Sequence, residues 1–215
     1  KEVAINRVRP LQIYESLLKN ISPEDLENNL PVSFGLPAGP GASSGVAVFS
    51  AEKAETLGKK GKKVILVREE TSPEDIHGMH YSEGILTSRG GLTSHAALVA
   101  RGWGKSCVVG CQDLTIDKGL RFAKIADKRI NEGDQITLNG SSGDIYLGEL
   151  SLFQNPLDNA GPLSLLLSWA DKVRKLKIRT NADTPEDCAR ALAFGAEGVG
   201  PVSYTHLTLP TKRIV

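Results

Sequence analysis

RGGLTSHAALVARGWG, residues 89–104, places two glycines, two hydroxyl side chains and a histidine directly before an alanine-rich segment. Either hydroxyl residue, Thr93 or Ser94, is of the type that caps the first turn of a helix. The stretch therefore predicts a helix over residues 96–101, ended by the glycines that follow, with His95 in its first turn.

A histidine in the first turn of a helix lies among backbone N–H groups that have no acceptor within the helix. The helix dipole disfavours a cationic imidazole there, so His95 would stay a neutral nucleophile, and a phosphoryl group on it would be stabilised. The residues expected to stabilise that group are Gly90, Gly91, Ser94 and Arg89. Arg101 could supply further screening charge. A polar first-turn residue without any function fits the local pattern equally well. A serine hydrolase fits poorly, because Ser94 and His95 are adjacent and no G-x-S-x-G elbow is present.

The composition limits the possible partners and the compartment. The chain has 215 residues, 40% of them hydrophobic, and a formal net charge of +1, so it lacks the basic surface of a nucleic-acid-binding protein. Three cysteines argue against a disulfide framework. No signal peptide is recognisable, and the longest apolar stretch, residues 162–170, is too short to cross a bilayer. We expect a cytoplasmic protein without membrane partners, with a plastid or another organelle also possible.

The order of apolar runs and turn signals predicts an α/β protein. We expect a helical lead-in over residues 1–33 and a mixed β/α domain over 34–152. Within that domain, strands are expected at 64–67, 84–87 and 107–109, a helix from Ser72, and a hairpin over 134–147. A strand–helix–strand unit over 153–200 suggests the start of a parallel α/β layer or barrel.

Three other segments carry residues of functional types. A zinc site is conceivable, but Cys-x3-Cys across a strand end gives poor ligand geometry, so surface histidines and buried thiols are the preferred interpretation. Its candidate ligands are His77, His80, Cys107 and Cys111. AGPGASSG, residues 38–45, is expected to be a turn rather than a phosphate loop, because it precedes a strand. The lysines at 59, 60, 62 and 63 suggest a solvated turn or a contact with an anionic partner domain.

Several separated motifs agree, in order, with one known family. GILTSRGGLTSHAALVARGWGKSCVVGC, residues 84–111, resembles the phosphohistidine signature of the phosphoenolpyruvate-utilising enzymes, within them most closely the pyruvate, phosphate dikinase branch. The departures from that signature are Leu92, Leu98 and Trp103. Residues 35–55 and 70–79 resemble other parts of the same domain, and residues 179–200 resemble the first segment of the barrel that follows it.

The resemblance implies a swivelling β/β/α phosphohistidine domain followed by the first strand–helix unit of a truncated βα-barrel. It implies that His95 carries a phosphoryl group in the reaction of ATP, phosphate and pyruvate to give AMP, pyrophosphate and phosphoenolpyruvate. The domains that bind those substrates, and the ligands of the Mg²⁺ that both half-reactions use, would lie outside this chain. A homodimeric full-length protein is also implied. A phosphoenolpyruvate synthase, an enzyme I-type phosphocarrier and a non-catalytic swivelling binding domain remain alternatives.

Two further positions acquire a meaning from the resemblance. Thr93 corresponds to the target of a regulatory kinase and phosphatase in plant members, where a phosphate would repel the group arriving at His95. After Gly200 the family continues with a segment whose arginine falls at the position of Ser203. Because that arginine is missing, we expect residues 201–215 to be a non-native tail.

Overall fold

The computed structural model describes residues 1–117, 122–154, 161–182, 184–193 and 195–200. Two compact units are present. The larger unit comprises Pro10–Asn155, and the smaller one comprises Lys1–Arg9 together with the residues that follow Asn155. The expected tail, 201–215, lies outside the described residues, and the expected boundaries after residues 33 and 152 stay predictions.

The larger unit contains most of the strands and helices. Its strands are β1 Asn20–Ile21, β2 Ser33–Phe34, β3 Leu36–Gly39, β4 Ala42–Val48, β5 Val64–Arg68, β6 Gly84–Thr87, β7 Ser106–Val109, β8 Leu114–Asp117, β9 Phe122–Ile125, β10 Lys128–Asn131, β11 Gln135–Asn139, β12 Asp144–Leu147 and β13 Leu152–Phe153. The helices, numbered from α1 Glu2–Arg7 in the smaller unit, are α2 Pro10–Leu17, α3 Pro23–Asn28, α4 Ala51–Lys59, α5 Ile76–Tyr81 and α6 His95–Gly102.

An eight-stranded sheet forms the centre of the larger unit, with the strand order β2-β12-β11-β4-β5-β6-β7-β3. The four central strands, β4 to β7, are parallel to one another. Helices α4, α5 and α6 connect them in turn. The outer strands pair antiparallel, β11 on β4 and β3 on β7. All three connecting helices therefore belong to crossover units between parallel strands.

Each face of this sheet is covered by a different layer. On one face, Val64 and Leu66 of β5 pack with residues of the three connecting helices. On the other face, Ile65 and Val67 pack with the antiparallel sheet β10-β9-β8. Successive side chains of a strand point to opposite faces, so the continuous apolar run 64–67 is what a strand buried on both faces requires. The larger unit thus has the expected β/β/α layers.

The predicted elements agree with the structure, except that some boundaries differ and one sheet of the structure was not predicted. Strand β6 has the predicted bounds, and the predicted hairpin is the antiparallel pair β11–β12. Helix α4 ends at Lys59, and Gly58 packs so closely on Tyr81 that a Cβ on Gly58 would lie 2.5 Å from the carbonyl oxygen of Tyr81. The three-stranded sheet β8–β10 was not predicted, because four-residue strands with charged outer positions resemble turns.

The smaller unit contains a parallel strand pair. Helix α7, Pro162–Val173, is followed by β14 Arg179–Thr180, α8 Pro185–Ala193 and β15 Gly198–Val199. β14 and β15 pair in parallel, so the predicted strand–helix–strand unit is present. A barrel built on this unit stays a prediction.

Replacement of Leu66 by Ala should destabilise the protein by about 2–5 kcal/mol, because Leu66 is fully buried between β5 and the connecting helices. Leu98→Ala provides the matched control. Because Leu98 is 57% exposed, this substitution should change the free energy of unfolding of the protein by no more than about 0.5 kcal/mol. Urea unfolding of the three proteins measures both changes. Equal losses for the two variants would contradict the buried position of β5.

Candidate functional site

His95 is the first residue of α6, one position earlier than the predicted start. Ser94 is the N-cap, and its Oγ accepts a hydrogen bond from the backbone N–H of Ala97 at 3.5 Å. This decides between the two candidate caps: Thr93 is exposed and precedes the cap. His95 therefore lies at the N-terminal end of α6, where the backbone N–H groups have no intrahelical acceptor.

The side chain of His95 is half-buried and is held by a residue that the sequence did not single out. Its Nδ1 lies 3.2 Å from Oγ1 of Thr71. Nε2 of His95 has no hydrogen-bond partner among the described residues. Thr71 is 24 positions earlier in the chain, so only the fold brings it to the histidine. The one sequence signal for it was its place directly before the helix start at Ser72.

Hydrogen bonds and an ion pair on either side of Thr71 hold it in position. Ser72 and Asp75 form a capping box, in which the backbone N–H of Ser72 donates to Oδ2 of Asp75 at 2.9 Å. Asp75 is also paired with Arg68, 3.1 Å away, at the end of β5. Arg68 donates a further hydrogen bond to the carbonyl of Phe49. These contacts hold the chain before and after Thr71, so the position of its hydroxyl next to His95 is fixed.

Residues 88–94, here called the glycine loop, connect β6 to α6. Gly90 has φ +109°, a conformation that residues with a Cβ rarely adopt. The loop is tied at Arg89, whose carbonyl accepts from Oγ1 of Thr87 at 2.7 Å and whose N–H donates to the carbonyl of Glu69 at 2.8 Å. Gly91 has no heavy atom within 4 Å of the position of a Cβ, so the loop leaves open space in front of its backbone.

The two arginines expected to supply positive charge have different roles. Arg101 donates to the carbonyls of Ala38 at 3.2 Å and Leu92 at 2.6 Å. Its guanidinium therefore holds the glycine loop against β3 and keeps its positive charge there, and the expectation that it screens a phosphoryl group stays a prediction. Arg89 is exposed, and its guanidinium has no partner among the described residues. Arg89 is the arginine that can still bind an anion.

The structure gives no support to a zinc site. Burial raises the pKa of Cys107 to about 12, although Arg101 opposes the shift, and burial also raises the pKa of Cys111. Both thiols therefore stay protonated at neutral pH in the metal-free chain, as is typical of buried cysteines. His80 instead packs edge-on against Trp103, with ring centroids 5.2 Å apart. Within the described ranges, no group of three or more His, Cys, Asp or Glu is placed to hold a metal ion.

The other two segments are ordinary structural features. AGPGASSG contains the end of β3, the turn at Pro40 and Gly41, where Gly41 has φ +96°, and the first half of β4. The lysines at 59, 60, 62 and 63 are exposed at the end of α4, where Lys59 pairs with Glu55 at 2.6 Å. None of the helices in the described part of the chain has the length and apolar character needed to cross a membrane.

Comparison with known proteins assigns the chain to a family. The family described as PEP-utilising enzyme, mobile domain, matches residues 60–143, which include α6 and the glycine loop. Pyruvate, phosphate dikinase 1 of Arabidopsis thaliana, described as chloroplastic, is 46% identical over 214 residues, which is 100% of this chain and 22% of that protein. The dikinase of Rhizobium meliloti is 45% identical over 214 residues, 100% of this chain and 23% of that protein. The chain belongs to the phosphoenolpyruvate-utilising enzymes.

This member spans about a fifth of the length of the dikinases that it matches. The rice dikinase, also described as chloroplastic, is 51% identical over 176 residues, 82% of this chain and 18% of that protein. A solution structure of Enzyme I matches 51% of this chain and 37% of that chain, with 20% identity and a TM-score of 0.30. The family assignment therefore depends on the sequence relatives.

The capping geometry of this phosphoenolpyruvate-utilising enzyme gives a stability prediction. Ser94→Ala should lower the free energy of unfolding by about 1 kcal/mol, because it removes the cap of α6. Thr93→Val should change it by no more than about 0.5 kcal/mol, because Thr93 is exposed outside the helix. Chemical denaturation of both variants measures the difference. A larger loss for Thr93→Val than for Ser94→Ala would show that Thr93 is the cap.

Proposed function

We propose that His95 carries a phosphoryl group on Nε2 as the phosphocarrier of a pyruvate, phosphate dikinase. The observation that carries this proposal is the hydrogen-bond pair at 3.2 Å between Nδ1 of His95 and Thr71, which leaves Nε2 as the nitrogen without a partner in the described residues. The family membership and the relatives' names support the same class of chemistry.

The Thr71 hydroxyl can select the reactive tautomer. When Thr71 Oγ1 accepts, Nδ1 of His95 bears the proton and Nε2 keeps its lone pair. To release AMP, that lone pair forms the N–P bond to the β-phosphorus of ATP while the P–O bond to AMP breaks and AMP takes the electron pair. Inorganic phosphate then takes the terminal phosphoryl group as pyrophosphate, and one phosphoryl group stays on Nε2. In the last transfer the enolate oxygen of pyruvate forms the new P–O bond and the N–P electrons return to Nε2.

The surroundings of His95 favour an anion on its ring. The first turn of α6 directs free N–H groups and the positive end of the helix dipole towards it. Gly90 and Gly91 present bare backbone, and Ser94 fixes the start of the helix. Arg89 provides a guanidinium without another partner in the described residues. We therefore keep Arg89, Gly90, Gly91 and Ser94 as the proposed phosphate-stabilising residues and add Thr71, which positions the imidazole.

The complete reaction needs parts beyond this chain, which spans about a fifth of its relatives. We place the nucleotide-binding domain and the complete pyruvate-binding barrel in those parts, together with the ligands of Mg²⁺. The described residues provide no cluster of three metal ligands, and no step above uses the ion. The domain that carries His95 would swivel between the nucleotide-binding domain and the pyruvate-binding barrel. Because it is tethered to both, each transfer is effectively intramolecular. A homodimeric full-length protein in the cytoplasm or a plastid completes the proposal.

Incubation with ³²P-phosphoramidate, or with an intact dikinase and its substrates, should label this chain with a phosphate that is labile in acid and stable in base. His95→Asn should abolish the label. His77→Asn is the matched control, because His77 is an exposed histidine on α5 and should leave labelling unchanged. Equal labelling of wild type and His95→Asn would refute the assignment.

Thr71→Val should reduce the initial labelling rate by about tenfold or more, since it removes the acceptor that holds the proton on Nδ1. Thr71→Ser keeps a hydroxyl and should restore most of the rate. The ¹⁵N chemical shifts of His95 provide a separate measurement of the tautomer, which should change in Thr71→Val alone. Identical rates and shifts for Val and Ser variants would show that Thr71 only fills space.

Thr93 is the proposed regulatory site, and its exposure would let a kinase reach it. A phosphate or carboxylate there would compete for the N–H groups at the start of α6 and repel an incoming phosphoryl group. Thr93→Asp should therefore slow labelling of His95 much more than Thr93→Val, while the melting temperatures of both variants stay close to that of wild type. Labelling of Thr93→Asp at the wild-type rate would leave Thr93 without a regulatory effect.

A further inference from the structure

A cavity of about 510 Å³ adjoins the glycine loop. Its walls include Phe34, Leu36, Arg89, Gly90, Gln112 and Asp113. Sites for small organic ligands typically enclose about 300–1,000 Å³. The cavity is therefore large enough for a molecule of nucleotide size. His95 is not among the residues that line it, so it is distinct from the carrier position itself.

Bare backbone forms the part of the wall nearest to the glycine loop. Gly110 has φ +66°, and a Cβ on it would lie 2.8 Å from the carbonyl oxygen of Gly90. Any side chain at position 110 would thus push the two segments apart. This contact joins the loop after β7 to the loop that leads into α6, and it keeps the cavity open between them.

The polar groups of the cavity are available for a ligand. The guanidinium of Arg89 and the side-chain amide of Gln112 have no partner among the described residues. Asp113 accepts a hydrogen bond from Ser33 at 2.7 Å through Oδ2, and Oδ1 of Asp113 has no partner among the residues that the structure describes. One cation, one amide and one carboxylate oxygen therefore converge on the cavity.

An exposed aromatic ring stands at the same cavity. Phe34 is 73% exposed although it lies in β2, and Leu36, which also lines the cavity, is 45% exposed. An exposed phenyl ring offers a stacking surface that every planar heterocycle can use. With Arg89 in the same lining, the cavity has both an aromatic ring and a cationic group.

We infer that this cavity binds the nucleoside monophosphate part of a nucleotide. The base stacks on Phe34, the phosphate pairs with Arg89, and Asp113 with Gln112 accepts or donates hydrogen bonds at the edges of the base or the ribose. The inference rests on the proposed function for the choice of a nucleotide over other planar anions. It adds to that function a nucleotide contact made by the carrier domain itself.

Other ligand classes fit the cavity less well. Free phosphate would use Arg89 alone, would meet the negative charge of Asp113, and would leave the exposed ring of Phe34 unused. A purely apolar ligand would bury the unpaired guanidinium at a high cost. A divalent cation would find Asp113 as the only carboxylate among the residues that line the cavity.

Isothermal titration of AMP, ribose 5-phosphate and inorganic phosphate into the 215-residue chain tests the inference. AMP should bind saturably and more tightly than the other two. Phe34→Ala should weaken AMP at least about fivefold and leave ribose 5-phosphate nearly unchanged. Arg89→Gln should weaken both about 10- to 100-fold. Lys60→Gln is the matched control, because it removes an exposed positive charge outside the cavity and should change neither affinity.

Absence of saturable AMP binding below about 10 mM would overturn the inference. Equal affinities for AMP and phosphate, or no effect of Phe34→Ala, would also overturn it, since either result shows a phosphate site alone. The titration needs no phosphoryl transfer. If His95 is labelled but AMP does not bind, only this inference fails; if AMP binds but His95 is not labelled, the proposed function fails.

Discussion

Burial of the central parallel strands on both faces is the constraint on which the larger unit depends. Helices cover one face and the sheet β8–β10 covers the other, so polar chemistry is excluded from both surfaces of β5 and β6. It is confined to the loops at the carboxyl ends of the strands, where open parallel sheets generally bind ligands. Thr71 follows β5, the glycine loop follows β6, and Gln112 follows β7. The parallel order of three neighbouring strands thus gathers these groups at one edge of the sheet.

Much of this arrangement could be predicted from local sequence, because its causes are local. The run 64–67 is apolar at every position, which is typical of a strand covered on both faces. His95 was correctly placed in the first turn of a helix, because the hydroxyl residues before it are strong caps. The choice between Thr93 and Ser94 was not possible from residue type, since both can cap and only the backbone path shows that Ser94 does so.

The missing parts of the prediction have tertiary causes. Thr71 reaches His95 because β5 and β6 are neighbours in the sheet, and no spacing in the sequence reports that distance. The structural role of Arg101 depends on where the carbonyls of Ala38 and Leu92 lie after folding, so the sequence showed its charge but not the contacts that hold the glycine loop. The sheet β8–β10 was missed because its strands have only four residues and bury one or two of them each, which is too short a pattern to distinguish a strand from a turn.

The hydrogen bond from Arg101 to the carbonyl of Leu92 affects which side chains position 92 can accept. Arg101 holds a main-chain oxygen, which every amino acid supplies, so the loop keeps its path whichever side chain stands at position 92. The main departures from the family signature, Leu92, Leu98 and Trp103, are 47%, 57% and 40% exposed, so none of the three side chains fills the core, although the Trp103 ring packs against His80. The buried alanines of the same helix match the signature.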